Sequence, residues 1–142
     1  MRNRNGFTIF ELLVMLALFS LTVTAVAPGM KSFFARLEVH SALRTITMGL
    51  STARYDAIRD NRSVRAEIVP GRLLLSQDNG QGWREIQRYD LSEKLSIRAN
   101  SRPVFSPLGS VAPLCTITLE SRGRVFRVVV SMYGRIKIYD NG

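Results

Sequence analysis

The stretch Gly6-Phe7-Thr8-Ile9-Phe10-Glu11 opens an apolar run that continues to Ala27 and predicts a membrane-spanning helix. The run is close to the roughly 20 residues that a helix needs to cross a bilayer core. Its only charged side chain is Glu11. A carboxylate inside such a segment is costly unless it is paired, so it marks a functional position. Because the run contains no Lys or Arg, the partner comes from another chain, or the carboxylate stays near the interface.

These residues resemble the class III signal of type IV prepilins and type II secretion pseudopilins. In that signal a short basic leader ends in Gly, Phe follows, and Glu is the fifth residue of the mature chain. Here the three positions are Gly6, Phe7 and Glu11. The resemblance implies that prepilin peptidase removes residues 1–6 as a leader and N-methylates the new Phe7 amine. Pro28 also matches a proline often found late in pilin N-terminal helices. The alternative is an ordinary signal anchor with an isolated Glu.

Length and charge predict one modest globular domain behind this helix. The 142 residues carry a formal net charge of +9, and removing residues 1–6 leaves 18 basic and 11 acidic side chains, a formal +7. Such a charge suits an anionic partner, namely DNA, a lipid surface or an acidic protein. A GC-rich genome would also explain the excess of Arg. Because Arg2 and Arg4 precede the apolar run, we expect a single-pass protein whose N-terminus is cytoplasmic and whose C-terminal domain lies across the membrane. The resemblance to prepilins implies that this membrane is the inner membrane and that the domain is periplasmic.

Hydrophobic periodicity divides the rest of the chain. The predicted transmembrane and assembly helix covers residues 7–28, and Pro28-Gly29 should bend or loosen it. In residues 29–62 apolar side chains recur at helical spacing, so this second half is amphipathic and packs on its own domain. Residues 63–142 have the period of strands and form the β-rich globular domain. Turn signals occur at Pro70-Gly71, Asp78-Asn79-Gly80, Ser121-Arg122-Gly123-Arg124 and Met132-Tyr133-Gly134.

The predicted strands cover residues 64–69, 73–76, 83–89, 115–120, 125–131 and 135–139, with a loop through 102–109. The pattern predicts an α+β protein with one long helix packed on antiparallel sheets. The resemblance to prepilins adds that this is the type IV pilin-like fold.

Three further stretches, residues 51–64, 105–109 and 128–136, resemble the GspH/FimT family of minor pilins. FimT-like DNA binders carry Gly-Arg-x-Arg near the C-terminus, where this chain has Gly134-Arg135-Ile136-Lys137. The final Lys keeps the charge, but it lacks the planar fork with which Arg binds phosphate through two parallel hydrogen bonds.

No catalytic or metal-binding constellation is visible in the sequence. His40, the only histidine, falls in the predicted helix as a surface or packing residue. Cys115 is the only cysteine, so no intrachain disulfide can form, and it is predicted to be a buried small hydrophobe in a strand. Asp78-Asn79-Gly80 lacks the run of oxygen ligands of a calcium loop and is predicted to be a hairpin turn. We therefore expect neither an enzyme nor a cofactor.

Basic residues concentrate in the last third of the chain. From Arg98 to Gly142 there are seven Lys or Arg and two acidic residues. Strand alternation places Arg135, Lys137 and Tyr139 on one face, where two cations and a ring would hold phosphates and stack a base. Further candidates for DNA binding are Arg122 and Arg124. The alternatives are a solvated strand face and, for Tyr139, a place in the core.

Two functions follow from these observations. The first is a GspH-like minor pseudopilin of a type II secretion system, assembled near the tip of a pseudopilus. Its partners are prepilin peptidase, the inner membrane and other pilin subunits, and Glu11 pairs with the Phe7 amine of a neighbouring subunit in the apolar filament core. The second is a FimT-like minor type IV pilin that binds DNA for uptake in natural transformation.

Overall fold

The computed structural model describes residues 8–121 and 123–141, with the backbone alone for residues 25–29, 31, 32 and 141. The helix α1 (Ile9–Asp60) comes first. The strands follow as β1 (Val64–Val69), β2 (Arg72–Asp78), β3 (Trp83–Asp90), β4 (Ser96–Ala99), β5 (Val104–Phe105), β6 (Val111–Ala112), β7 (Cys115–Ser121), β8 (Arg124–Val130) and β9 (Ile136–Asn141).

The chain divides into two compact units, one ending at Arg36 and the other spanning Leu37–Gly142. The described residues of the first unit are the N-terminal part of α1, which runs unbroken through Pro28-Gly29. Within the residues whose placement is described, no helix includes a stretch both long and apolar enough to cross a membrane.

The second unit contains two antiparallel sheets, with strand orders β3-β2-β1-β5-β6 and β4-β7-β8-β9. Tight turns set the pairing register in the first sheet. The β1–β2 turn at Pro70-Gly71 places Val69 opposite Arg72, and Gly71 supplies the positive φ of 71° that the turn requires. In the β2–β3 hairpin the Gly80 amide donates to Asp78 Oδ1 at 2.9 Å. Both turns lie where the sequence predicts them.

Buried side chains of α1 and of both sheets form one hydrophobic core. On the helix the buried apolar positions fall on one face, as the spacing of an amphipathic helix requires: Val39, Ala42, Leu43, Ile46, Leu50, Ala53 and Ala57. Gly49 permits close approach to β2, because a Cβ at this position would overlap Leu73 Cδ2. Cys115 is buried as predicted, and this burial raises the pKa of its thiol.

The helix ends at Asp60, two residues before the predicted end at 62, in a Schellman motif. Asn61 takes the left-handed conformation with a φ of 51°, and the Arg62 amide donates to the Ala57 carbonyl at 3.2 Å. Each of the six predicted strands is confirmed to within two residues. The sequence interpretation misses β4, β5 and β6. Segments of two to four residues are too short for alternation of polar and apolar side chains to reveal them.

Candidate functional site

The first turn of α1 holds Glu11, the predicted assembly residue. The Glu11 amide donates to Thr8 Oγ1 at 3.2 Å, and the Leu12 amide donates to the Thr8 carbonyl at 3.2 Å. Thr8 is therefore the N-cap, and Glu11 occupies the third helical position, where a capping box places an acidic residue. The positive end of the helix dipole favours a carboxylate at this point. Gly6 and Phe7, the predicted processing residues, lie outside the described residues.

The surroundings of Glu11 on the helix are apolar. Large apolar side chains are exposed on every side of residues 9–23, with Phe10 at 75% and Phe19 at 68% exposure. The three hydroxyls of this segment bond to carbonyls of their own helix: Ser20 Oγ to Ala17 O at 2.8 Å, Thr22 Oγ1 to Phe19 O at 2.7 Å and Thr24 Oγ1 to Ser20 O at 2.8 Å. Among the polar side chains of residues 9–24, Glu11 is thus the one whose hydrogen-bonding groups the helix itself does not satisfy.

The second candidate site is the outward face of the sheet β4-β7-β8-β9. Strand pairing places Arg98 opposite Thr118, Thr118 opposite Arg127, and Arg127 opposite Tyr139. These four residues form one row across the sheet. Phe126, Val128 and Val130 are buried, so alternation along β8 turns Arg127 outward. Lys137 adds a further cation to this face, opposite Val129. We call the set of Arg98, Arg127, Lys137 and Tyr139 the basic face.

The structure separates the candidate residues that the sequence groups together. Lys137 and Tyr139 share the basic face, and Tyr139 is 47% exposed, which excludes the alternative of a core position. Arg135 precedes β9 and belongs to the turn, where its amide donates to Ser131 Oγ at 3.1 Å. The strand β9 thus begins one residue after the predicted start at Arg135. The reason is that this bond and a second one, from the Ser131 amide to the Arg135 carbonyl at 2.9 Å, close the turn.

Of the other two candidate arginines, the structure describes one. Arg124 is two residues before buried Phe126 on β8, so the two side chains lie on the same face of the sheet. This is the face opposite to that of Arg127. Arg122 lies outside the described residues. The structure adds Arg98 and Arg127, which the sequence pattern alone does not group with Tyr139. Alternation along residues 125–131 would have turned Arg127 outward, but only the pairing register reveals that it lies beside Tyr139.

A chemical site is not visible among the described residues. No group of His, Cys, Asp and Glu within them is arranged to hold a metal ion. His40 is exposed on the helix, as predicted. The Cys115 thiol donates to the Ser101 carbonyl at 3.4 Å, and burial raises its pKa, so it is a poor nucleophile.

Solved structures of minor pilin-type subunits share this fold. The minor pseudopilin EpsH from the type 2 secretion system of Vibrio cholerae matches with a TM-score of 0.63 and 18% identity, over 74% of this chain and 98% of that chain. A second EpsH structure matches with a TM-score of 0.60 and 16% identity, over 75% of this chain and 97% of that chain. The type IV minor pilin FimU of Pseudomonas aeruginosa matches with a TM-score of 0.62 and 19% identity, over 75% of this chain and 92% of that chain. No protein-family model and no curated protein sequence matches this chain. At these identities the likeness is one of architecture, and the chain has the type IV pilin-like fold of these minor subunits.

Proposed function

We propose that this chain is a structural minor subunit of a type IV pilin-like filament, and specifically a GspH-like pseudopilin of a type II secretion system. The observation that carries the proposal is the combination of the minor-pilin fold with Glu11, a lone carboxylate that the apolar first turns of α1 do not satisfy. The role is one of assembly rather than catalysis.

The proposed mechanism has three steps. First, the apolar segment from residue 7 to 28 anchors the uncleaved chain in the inner membrane, with the domain in the periplasm. Prepilin peptidase then cuts after Gly6 and methylates the Phe7 amine, which leaves a new positive charge four residues before Glu11. In the filament core this amine pairs with Glu11 of a neighbouring subunit. In an apolar medium the attraction is many times stronger than in water, and pairing removes the cost of a lone carboxylate.

The fold is common to subunits of two machines, so the choice of machine needs its own argument. The last residue of Gly134-Arg135-Ile136-Lys137 departs from the Gly-Arg-x-Arg pattern of FimT-like DNA binders. This departure favours the secretion pseudopilus, where we place the chain near the tip.

The test is the mass of the protein expressed in full, with and without an active prepilin peptidase. We expect the peptidase to remove residues 1–6 and to add one methyl group at Phe7. Gly6→Val should keep the leader, because the peptidase needs a small residue at the cut. A mature mass in the Gly6→Val variant, or no change of mass with the peptidase present, would refute the proposal.

A second candidate function is DNA capture, which the basic face supports. Arg98, Arg127 and Lys137 lie on one outward surface with the half-exposed ring of Tyr139. Cations on a sheet face hold phosphates, and an exposed aromatic ring stacks a base. This candidate would make the chain a FimT-like minor pilin for DNA uptake, with Arg135 at the edge of the contact.

A further inference from the structure

The basic face is one contiguous surface in the middle of the sheet β4-β7-β8-β9. Strand pairing sets one residue of each strand side by side in its central row: Arg98, Thr118, Arg127 and Tyr139. Lys137 lies two residues before Tyr139 on β9, so it points to the same side from the next row. Because paired strands lie about 4.8 Å apart, each residue of the row is in reach of its neighbours.

The charge of the basic face is not neutralised within the described part of the protein. The ion pairs found there include none of its three cations. The other sheet differs, because its Arg88 pairs with Glu85 at 2.8 Å. Glu120 on β7 also points outward, but it lies in the row on the side away from Lys137. The basic face therefore keeps its positive charge for an anionic partner.

The ring of Tyr139 is open on this surface. Two other exposed aromatic rings are covered by a guanidinium: Arg59 lies 5.5 Å from the ring centroid of Tyr55, and Arg65 lies 4.6 Å from that of Trp83. Among the described residues no guanidinium lies over Tyr139 in this way. Its half-exposed ring is therefore free to stack on a planar group from a partner.

Two cations flank the Tyr139 ring at distances that the sheet sets. The backbone of Arg127 is one strand away, about 5 Å, and that of Lys137 is two residues away along β9, about 7 Å. Arg98 lies two strands beyond Arg127, roughly 10 Å further along the row. A ring between two cations suits one nucleotide of a strand, because the base stacks on the ring while the phosphates on either side of it contact the cations.

The flatness of the sheet distinguishes between the forms of DNA. Four strands spaced at about 4.8 Å place the two outer backbones about 14 Å apart, whereas the major groove of a duplex is only about 12 Å wide. The sheet therefore cannot enter a groove face-on, and a duplex offers it phosphates but no base. A single strand leaves its bases free, and four-stranded sheets with exposed aromatic side chains bind single-stranded RNA in this manner.

We propose that the basic face binds single-stranded DNA in preference to duplex, with one base stacked on Tyr139 and the adjoining phosphates on Arg127 and Lys137. Arg98 takes a further phosphate along the row. The inference rests on the second candidate function, DNA capture, and names the form of DNA that the site takes. The ring decides the preference, since a duplex would use the cations and leave Tyr139 without a base.

The test compares the two forms of DNA on the full chain, purified in an uncharged detergent. Fluorescence anisotropy measures its affinity for a labelled oligothymidylate and for a duplex with strands of the same length, at one salt concentration. We expect the oligothymidylate to bind more tightly, although the duplex has the higher charge density. Tyr139→Ala should weaken single-strand binding about 5- to 150-fold, the effect of losing one stacked base, and should leave duplex binding unchanged.

Two control variants separate stacking from folding. Tyr139→Phe keeps a ring that stacks, so it should retain the single-strand affinity of the wild type. Tyr55→Ala removes an exposed tyrosine on α1 whose ring lies under Arg59, and it should also leave the affinity unchanged. Loss of binding to both forms of DNA in Tyr139→Ala and in Tyr139→Phe would show that Tyr139 supports the fold, and this overturns the inference.

The remaining outcomes distinguish this inference from DNA capture itself. Duplex that binds as tightly as the oligothymidylate, or wild-type affinity of Tyr139→Ala for the single strand, overturns the preference. If Arg127→Gln with Lys137→Gln then still weakens binding of both forms, DNA capture stands and only this inference fails. If neither form binds to the wild-type chain, the candidate function fails and the inference fails with it.

Discussion

Arg54 and Gly134 lie against each other although 80 residues separate them in the chain. A Cβ at position 134 would lie 2.8 Å from Arg54 Nε and 2.9 Å from both Arg54 Cδ and the Gly109 carbonyl oxygen. Gly134 also has a φ of 71°, which L side chains rarely adopt. The contact between helix and turn therefore requires glycine here for reasons of space and of backbone conformation. It belongs wholly to the second unit, as does the hydrophobic core.

Deleting residues 1–30 should leave a soluble, folded monomer, because among the side chains that the structure describes the buried apolar ones lie at or beyond Val39. Circular dichroism should show both helix and strand, and sedimentation should give the monomer mass. A helix-only or unfolded spectrum would contradict the assignment of an independent α+β domain.

In that fragment, Gly134→Ala should destabilise the fold by about 2–4 kcal/mol. About 1–2 kcal/mol comes from a side chain in the left-handed region, and the rest from the steric conflict with Arg54. Urea denaturation measures the change. The matched control is Gly123→Ala, at a φ of 78° and with no atom of the described residues within 4 Å of the added Cβ. This control should lose only the stability that the left-handed backbone conformation costs. Equal losses of stability in the two variants would argue against a steric conflict with Arg54.

Asp60 should make the fold sensitive to acid. Its carboxylate accepts from Arg59 Nε at 2.7 Å and from Gln77 Nε2 at 2.9 Å. The hydrogen bond from Arg59 and, to a lesser extent, that from Gln77 lower the pKa of the Asp60 carboxyl from 3.8 to about 2. A lowered folded pKa gives stability that is present above pH 4 and is lost as the pH falls towards 2. Asp60→Asn should therefore make the denaturation midpoint change less with pH between pH 4 and pH 2. Asp90→Asn, whose carboxylate reaches Arg72 only at 3.6 Å, is the control. An unchanged slope in Asp60→Asn would exclude this coupling.

Glu11→Ala should separate membrane insertion from assembly. The variant keeps the apolar segment and the Thr8 cap, so we expect normal insertion and normal cleavage. Incorporation into filaments should fall, because the Phe7 amine of the neighbouring subunit loses its partner. The measurement is the amount of the chain that co-purifies with sheared filaments at native expression level. Thr22→Ala removes a hydroxyl that bonds to its own helix and should have no effect. Wild-type incorporation of Glu11→Ala would argue against the pairing mechanism.

Binding of DNA to the basic face predicts a characteristic dependence on salt. Removing one cation that binds a phosphate should lower the slope of log affinity against log salt by roughly 0.9 for duplex and 0.7 for single strands. We expect weak wild-type binding, with a Kd on the order of 10⁻⁴–10⁻⁶ M. Arg127→Gln with Lys137→Gln should weaken binding to all sequences alike, and adding Arg135→Gln tests the turn residue. Tyr139→Ala should cost on the order of 1–3 kcal/mol for single strands.

The control for this series removes the same charge from another surface. Arg84→Gln with Arg88→Gln lies on β3, in the other sheet, and should leave the affinity unchanged. If this pair and the Arg127 and Lys137 pair have equal effects, binding reflects overall charge. If neither has an effect, the basic face is solvated surface and the secretion pseudopilin is the better proposal.

Local sequence is sufficient to predict the features that depend on neighbouring residues. The helix to Asp60, the strand periods and the turns at Pro70-Gly71 and Asp78-Asn79-Gly80 follow from periodicity and from residues that favour particular backbone angles. The apolar run with Glu11 and the resemblance to prepilins likewise need no tertiary information. For these reasons the α+β class was predictable.

Which distant residues meet depends instead on the folded chain. The register of β4, β7, β8 and β9 sets Arg98, Arg127 and Tyr139 in one row, and a shift of one residue would turn each strand's side chains to the other face. The contact of Arg54 with Gly134 depends on how helix and turn pack in the folded unit. Neighbouring residues do not encode these distances, because burial of the shared core sets them.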